Sequence, residues 1–419
     1  MVEQMHWSNA ISTRPSLEAA VMEVASQLKQ SLGATPDFGV VFISSAYASE
    51  YSRLVPLILE QLPLPILIGC GGAGIVGSNT QGENLEVENQ PALSLSVAHL
   101  PGVEVEAFHV SGEDLPDLDS PPQSWVDLVG IAPEKQPQFI LLAEPFSASI
   151  NDLLAGLDFA YPESPKVGGL TSSATMSNSS GLFYYSGQHP ERPPLYREGT
   201  IGVALSGNII LDTIVAQGCR PIGSLYQVVK GERNIVLEVA QAHDTTATGE
   251  PVAPLIALQN IIQELSEADR KLAQQALFVG IARDEFKMHL HQGDFLIRNL
   301  LGVDPKQGAI AIGDKVRPGQ RIQFHLRDAH TSEEDLELLL SQYKKNLPED
   351  STTIGALMFT CLGRGQGLYG KPNFDSQLLG RYLPQIPLVG FFCNGEIGPV
   401  GNKTFLHGYT SVFGILRQP

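Results

Sequence analysis

The sequence predicts an α/β (mixed α+β) protein: repeated βαβ units in mixed sheets with helices packed on them, in two related domains. Two observations carry that expectation. Three separated stretches run from an apolar strand through a helix of 3.6-residue periodicity, past two prolines, into a second apolar strand. In addition, 41 glycines and 29 prolines make up about a sixth of the 419 residues, against a usual share near 12%. Such a chain needs many turns between short elements, which excludes a coiled coil or a helical array.

The first unit begins with the run Phe38–Ile43. Tyr51, Leu54, Val55, Ile58, Leu59 and Leu62 then recur at helical spacing, Pro63 and Pro65 stop the helix, and Ile66–Ile68 reads as the second strand. The second unit has strand Phe139–Ala143, the loop Glu144-Pro145-Phe146-Ser147, a helix with Ile150, Leu153, Leu154 and Leu157 on one face, Pro162 and Pro165, and a strand at Val167. The third has strand Ala356–Thr360, a glycine-rich loop, a helix joining Phe374, Leu378, Leu379 and Tyr382, Pro384 and Pro387, and strand Leu388–Phe392. The strand starts lie 28, 28 and 32 residues apart, so the pattern reads as one module duplicated. Each crossover is expected to place its two strands parallel, with right-handed connection.

Between these units, Ala92–His99, Val103–Val110, Leu182–Tyr185, Thr200–Leu205 and Ile209–Gln217 read as strands, so the sheets should be mixed. Gly207-Asn208 between the last two predicts a hairpin. Further strands are expected at Gln227–Val229, Ile235–Val239, Phe278–Ala282, Phe295–Asn299, Ala309–Ile312 and Ile322–Arg327, with helices over Pro254–Leu265 and Asp335–Lys345. The last of these helices opens after Thr331-Ser332-Glu333-Glu334 and ends on Lys344-Lys345, charges that suit the helix dipole. A boundary near Cys219–Gly223 divides the chain into 1–222 and 223–419.

Charge and cysteine usage bound the function. With 27 basic and 45 acidic residues the net charge is −18, and no basic run exists to displace counterions from a polyanion. Nucleic acid and anionic lipid are not expected partners. Cys70, Cys219, Cys361 and Cys393 are far apart and form no C-x-x-C, which reads as a reducing compartment. Met1–Arg14 lacks the apolar core of a targeting segment. The apolar stretch Leu62–Gly77 falls short of the ~20 residues a bilayer needs and contains Pro63, Pro65 and five glycines. A soluble, cytoplasmic protein without membrane insertion is expected.

Several motifs point away from familiar chemistry. Gly72-Ala73-Gly74-Ile75-Val76-Gly77 is a literal G-x-G-x-x-G, but Ser78-Asn79-Thr80-Gln81-Gly82 continues it without helical periodicity. Gly365-Gln366-Gly367-Leu368-Tyr369-Gly370 is a second match, and Lys371-Pro372 denies it a helix too. A dinucleotide site needs that helix N-terminus for the pyrophosphate, so no nucleotide cofactor is expected. His289-Leu290-His291 with Asp294 offers two imidazoles on one strand face, short of a zinc set, and reads as a solvated or hydrogen-bonded pair.

The informative residues lie where crossover strands end, because ligands of open α/β sheets bind beyond the carboxyl ends of parallel strands. Those ends carry Gly69–Gly74, Gly168–Ser173, Thr360–Gly365 and Cys393–Gly398. Glu396 and Arg364 are the only charged side chains in the two C-terminal loops. A carboxylate can hold an ammonium and a guanidinium can clamp a carboxylate, the two ends of a free amino acid. Alternatively, Glu396 and Arg364 bind each other or cap loop amides. Thr360, Gly363, Asn394 and Gly395 would shape the pocket, with Cys361 and Cys393 beside them. Either cysteine could serve a hydrolase or transferase as nucleophile, with His407 as the nearest basic partner in sequence; a small buried cysteine at a strand end is the other reading.

These residues resemble a known family. Gly355–Gly365, Ile386–Pro399 and the closing Phe405-Leu406-His407-Gly408-Tyr409-Thr410 are similar to the C-terminal module of FIST proteins, named for F-box and intracellular signal transduction proteins. Phe295–Asn299 and Gly319–Asp328 fit the same module, and Pro65–Gly74 resembles the N-terminal one. The resemblance implies a sensory module for small ligands, amino acids among them, often joined to signalling output domains in bacteria and to an F-box in eukaryotes. It departs in two ways: no stretch is left for an output domain, and Gly74-Ile75 stands where Gly-Glu is expected, as at Gly395-Glu396. The expectation is a small-ligand-binding sensory protein of signal transduction acting through a separate signalling partner. Its rivals are a cysteine-dependent enzyme and a protein–protein adaptor without ligand.

Overall fold

The computed structural model describes residues 4–146, 148–173 and 181–419. Ser147 of the anticipated second loop and Met1–Glu3 of the opening segment lie outside them. The chain packs as two compact units, one of residues 1–215 with 339–419 and one of residues 216–338. These units do not coincide with the sequence division at 222, because the third βαβ module packs with the first two.

All three crossovers are present in the first unit. In chain order they comprise β1 (Phe38–Ser44), α1 (Tyr51–Gln61) and β2 (Ile66–Gly72), followed by β3 (Gly74–Ser78) and β4 (Asn84–Glu88). Next come β5 (Gln138–Ala143), α2 (Ile150–Ala160) and β6 (Lys166–Leu170), followed by β7 (Leu182–Ser186). The third set is β8 (Thr353–Cys361), α3 (Gly365–Tyr369), α4 (Phe374–Tyr382) and β9 (Leu388–Cys393), followed by β10 (Glu396–Val400). β1–β2, β5–β6 and β8–β9 are parallel pairs. Each forms the centre of a six-stranded mixed sheet.

The strand after each crossover leaves its own sheet. β3 pairs antiparallel with β9, β7 with β2, and β10 with β6. The three modules thus exchange a strand in a cycle, each donating to one neighbour and receiving from the other. Antiparallel strands complete the far sides: Leu93–His99 beside β1, Thr200–Gly207 beside β5 and Ser411–Arg417 beside β8.

One steric feature recurs in all three modules. In β2, β6 and β9 the residue opposite the middle of the first strand is glycine: Gly69 opposite Val41, Gly168 opposite Leu141, Gly390 opposite Met358. A β-carbon at these positions would fall 1.9, 1.8 and 1.9 Å from the carbonyl oxygen of Val41, Leu141 and Met358. No other residue fits, so the repeated glycine is a packing requirement of the module.

Alternation distributes the apolar side chains. Val40 and Phe42 face a core shared by the three sheets, where Phe42 stacks on Phe391 at 4.9 Å and both meet Phe359 edge-on. Val41 and Ile43 face the other way, onto Leu54, Val55 and Ile58 of α1. With both faces covered, β1 reads as an unbroken apolar run, as parallel central strands do.

The second unit is an antiparallel barrel. Cys219–Glu232, Arg321–Arg327, Leu277–Ala282, Phe295–Asp304, Ala309–Ile312 and Ile235–His243 pair in that order, and the last pairs back to the first. Val228, Val236, Val279, Ile310, Ile322 and Phe324 belong to its core, to which helix Pro254–Glu264 adds Leu258 and Ile261. Closure leaves no unpaired edge within these six strands.

Four expectations need correction or extension. Thr200–Gly207 and Ile210–Ala216 do not form a hairpin: the first pairs with β5 and Val103–Val110, the second lies beside Ser411–Arg417 in another sheet. The Gly207-Asn208 turn instead carries the chain between sheets, with the Asn208 amide donating to the Gly102 carbonyl at 2.9 Å. The final helix runs over Ala329–Asn346, because Asp328 rather than the Thr331 group caps it, accepting from the Thr331 amide at 2.7 Å. Strand His6–Ser12 and helices Leu17–Ser31, Pro122–Val129 and Glu267–Ala273 extend the expected set. Gly365-Gln366-Gly367-Leu368-Tyr369 forms the short helix α3, where no helix is expected. Among the described residues no helix is long and apolar enough to cross a membrane.

Candidate functional site

The strand exchange brings three glycine-rich tips together at the carboxyl ends of β2, β6 and β9. Ser172, just past β6, ties them: its hydroxyl accepts from the Ala73 amide at 2.9 Å and donates to the Phe392 carbonyl, while its own amide donates to the Gly71 carbonyl at 3.4 Å. The Asn394 amide donates to the Leu170 carbonyl at 3.1 Å and the Leu170 amide to the Gly395 carbonyl at 2.8 Å. Glycines permit this approach. A β-carbon on Gly169 would lie 2.3 Å from Cys393 Sγ, and one on Gly74 would lie 2.6 Å from the Phe392 ring.

The structure brings the sequence-predicted residues into one neighbourhood. Cys361 and Cys393 are register partners at the ends of β8 and β9, and the Leu362 amide donates to the Cys393 carbonyl at 3.0 Å. At the surface of this edge, Asn394 and Leu362 are exposed and Gly363 is half-buried. Beneath it, Thr360, Arg364, Cys393 and Glu396 are fully enclosed.

The charged pair differs from the expected clamp. The Arg364 guanidinium donates Nε to Asp375 Oδ2 at 2.7 Å and Nη2 to Asp375 Oδ1 at 3.0 Å, a two-point pairing within the protein. Nη2 also reaches the Tyr369 hydroxyl at 2.6 Å, and that hydroxyl donates to Asp375 Oδ1 at 2.8 Å. Thr360 Oγ1 donates to Asp375 Oδ2 at 3.4 Å. Glu396 Oε2 accepts from the Thr410 amide at 3.0 Å. Arg364 is thus engaged by Asp375, and Glu396 by a loop amide, within the protein. The Glu396 interaction is the loop-amide capping that the sequence leaves open, and Arg364 is claimed by a carboxylate eleven positions along the chain.

Cys393 is poorly placed as a nucleophile. Burial, with the Glu396 carboxylate adding to it, pushes the Cys393 thiol well above its ordinary range, and burial does the same at Cys70. His407 is itself buried and engages the Gly398 carbonyl through Nε2 at 3.0 Å. A thiolate nucleophile needs partial exposure and a cationic neighbour, and Cys393 lacks the first.

Elsewhere, Gly72–Gly77 leads into strand β3 rather than a helix. The first free amide of α3, that of Gln366, is taken by Glu88 Oε1 at 2.9 Å. Asp294 is held by Lys287 Nζ at 2.7 Å and the His291 amide at 2.8 Å, and His289 lies 3.4 Å from Asp244. Among the described residues no group of three acids, histidines or cysteines could hold a metal. Cavities of about 660 and 440 Å³ open at the opposite, amino ends of the strands, the first lined by Gln138, Tyr161 and Pro165, the second by Trp7, Ser78 and Pro387.

Asp375 and Glu86, which no sequence motif singles out, complete this site together with Tyr369 and Thr410, which the sequence shows only as members of motifs. Each acts through a tertiary contact with no fixed spacing from the motif it serves. Asp375 carries the one available hint, an acid in the first turn of a helix following an arginine tip.

Comparison with known proteins accords with these features. A family model described as the FIST N domain matches residues 37–241, and one described as the FIST C domain matches residues 255–399. An uncharacterized protein of Mycobacterium tuberculosis is 33% identical over 404 residues, covering 96% of this chain and 97% of its own. An F-box/LRR-repeat protein of Arabidopsis thaliana is 23% identical over 382 residues, covering 80% and 69%. The human F-box only protein 22 is 32% identical over 119 residues, covering 24% and 29%. With two family models spanning both units and a third of its residues shared along the full length of a relative, the chain belongs to the FIST family, as a FIST N domain followed by a FIST C domain.

Proposed function

We propose that the protein is a sensory module that binds a small polar, amino-acid-like ligand at the converging tips 360–364 and 393–396 and passes its state to a separate signalling protein. FIST domains are sensory domains of signal transduction, which supports the class. One observation carries the location: three strand tips tied through Ser172 leave Asn394, Leu362 and Gly363 at the surface above a rigid buried base. A ligand there is read by the exposed Asn394 side-chain carboxamide and by main-chain groups that the glycines leave approachable. Arg364 and Glu396 fix the tips from below, and Thr360, Cys361, Cys393 and Gly395 hold the floor. A cysteine-dependent reaction finds less support, given the buried thiol of Cys393.

The test is a thermal-shift screen of the whole chain against the twenty amino acids and related zwitterions. Binding to the native state alone raises its stability, by about 2.7 kcal/mol at a hundredfold excess over the dissociation constant. The reading expects stabilisation by at least one compound, lost in Asn394→Ala without a fall in the ligand-free Tm. A compound that stabilises wild type and Asn394→Ala equally would place the ligand elsewhere, and no stabilisation by any would remove the amino-acid class.

A further inference from the structure

At the base of the tip three acidic groups lie close together, Glu86 between Asp375 and Glu88. Asp375 is paired with Arg364. Glu86, on β4, is 5% exposed, and its Oε1 accepts from the Ser376 amide at 2.7 Å, at the N-terminal turn of α4. Its own amide donates to Asn373 Oδ1 at 2.6 Å, so β4 and the start of α4 are stitched from both sides. Two residues along the same strand, Glu88 binds the Gln366 amide of α3.

We propose that Glu86 and Asp375 form a proton-binding site, in which two neighbouring buried carboxylates, only one of them paired with Arg364, retain a proton on Glu86, and that release of this proton to solvent loosens the start of α4 and with it the Arg364 tip. The proposal is independent of which ligand the tips bind.

The electrostatics follow from the count. Arg364 offsets one carboxylate, and the two-point geometry assigns it to Asp375. Ionising Glu86 as well leaves an uncompensated anion out of water beside a like charge, and both effects favour the neutral acid. The groups facing Glu86 are Asp375 and the amide and hydroxyl of Ser376 on α4, Tyr369 of α3, and Glu88 of its own strand. Tyr369 stays a neutral phenol, its ionisation held up chiefly by burial. Opposing these, the Ser376 amide favours the carboxylate. Burial and Asp375 outweigh it, and Glu86 is raised to about 8. Because this value exceeds that of the unfolded chain, the native state holds the extra proton between about pH 4.5 and 8. The associated stability is present below that window and is lost as pH rises through about 8.

Carboxyl carbon NMR of the wild-type chain labelled at glutamate should contain one resonance titrating near pH 8 that disappears in Glu86→Gln, which keeps the acceptor for Ser376 without the charge. In thermal melts the two proteins should coincide near about pH 5, with wild type falling progressively below Glu86→Gln up to about pH 8 and the gap constant above it. Amide hydrogen exchange at Gln377, bonded to the Asn373 carbonyl in the first turn of α4, and at Arg364 of the tip should be several-fold faster in wild type than in Glu86→Gln near about pH 8.5 and equal near about pH 6. If every glutamate titrates below about pH 6, or the two melting curves run parallel, the proton site is refuted. A resonance near pH 8 with equal exchange in the two proteins at both pH values would refute the link to the tip. Should Glu86→Gln fail to fold, the wild-type titration alone decides whether an acid of this kind exists.

Discussion

Arg364 and Glu396 hold opposite edges of a single peptide group, the one joining Tyr409 to Thr410. Arg364 Nη1 donates to the Tyr409 carbonyl at 3.5 Å, and Glu396 Oε2 accepts from the Thr410 amide at 3.0 Å. Tyr409 lies in the left-handed region with φ 63°, an unusual conformation for a side chain of its size. Strained backbone of this kind persists where its surroundings over-determine it. The two charges that a sequence reading assigns to the ends of an amino acid thus grip a segment of the protein's own main chain.

Replacing Glu396 by alanine leaves the buried Thr410 amide without this acceptor. The expected cost is about 1–3 kcal/mol. Faster hydrogen exchange at Thr410 should accompany it, and Glu396→Gln, which retains a carbonyl oxygen, should recover most of the loss. Equal urea midpoints for wild type and Glu396→Ala would show that the contact contributes nothing.

Arg364→Ala strands the Asp375 carboxylate in a buried site and should destabilise the first unit by about 3–5 kcal/mol. Asp375→Asn relieves part of that penalty in the Arg364→Ala background, because the group left behind is neutral. A double-mutant cycle by urea denaturation checks this, and additive effects of the two changes would count against coupling. Arg364→Lys should not substitute, since an ammonium cannot reproduce the two-point geometry.

The three module glycines should respond alike. Gly69→Ala or Gly390→Ala puts a methyl group within 2 Å of a carbonyl oxygen in the neighbouring strand. Parallel pairing cannot absorb this without separating the strands, so each variant should lose more than the ~1–3 kcal/mol typical of overpacking and accumulate as insoluble protein. Gly367→Ala, on a helix with open space around the α-carbon, is the control and should be neutral or stabilising by up to about 1 kcal/mol. Soluble, cooperatively melting Gly390→Ala would overturn the packing argument.

How much of this is legible in sequence depends on whether the signal is local. The crossovers are, because the change from strand to helix periodicity and the paired prolines at 63/65, 162/165 and 384/387 lie within each module. The exchange of β3, β7 and β10 between sheets is not, since a strand's neighbour is chosen by tertiary packing. The Gly207-Asn208 turn illustrates the limit: its chemistry suits a hairpin, yet the flanking strands join different sheets. At the site, the tips were readable from glycine content. The partners of Arg364 and Glu396 are hidden, because Asp375 and Thr410, 11 and 14 positions along the chain, reach them by turns that fix no recognisable spacing. Helix Leu17–Ser31 did carry local signals, a Ser16 cap and buried Leu17, Val21, Val24 and Leu28 at helical spacing.

In the barrel, His325 makes the second unit acid-labile. Its ring is fully buried against Phe295, with Nδ1 near the Gln323 carbonyl at 3.0 Å and Nε2 without a partner among the described residues. Burial disfavours the imidazolium and lowers the group to about 4. The unfolded chain, with an ordinary value near 6.5, therefore binds the extra proton between about pH 6.5 and 4. Stability is fully present above that window and falls as pH drops through it, by up to roughly 3 kcal/mol. His325→Leu removes the titrating group at similar volume. Urea titrations of both proteins between about pH 4 and 7 should diverge toward the acid end, with wild type losing stability more steeply. Parallel curves would mean that His325 opens to water before it protonates, and its burial would then carry no acid cost.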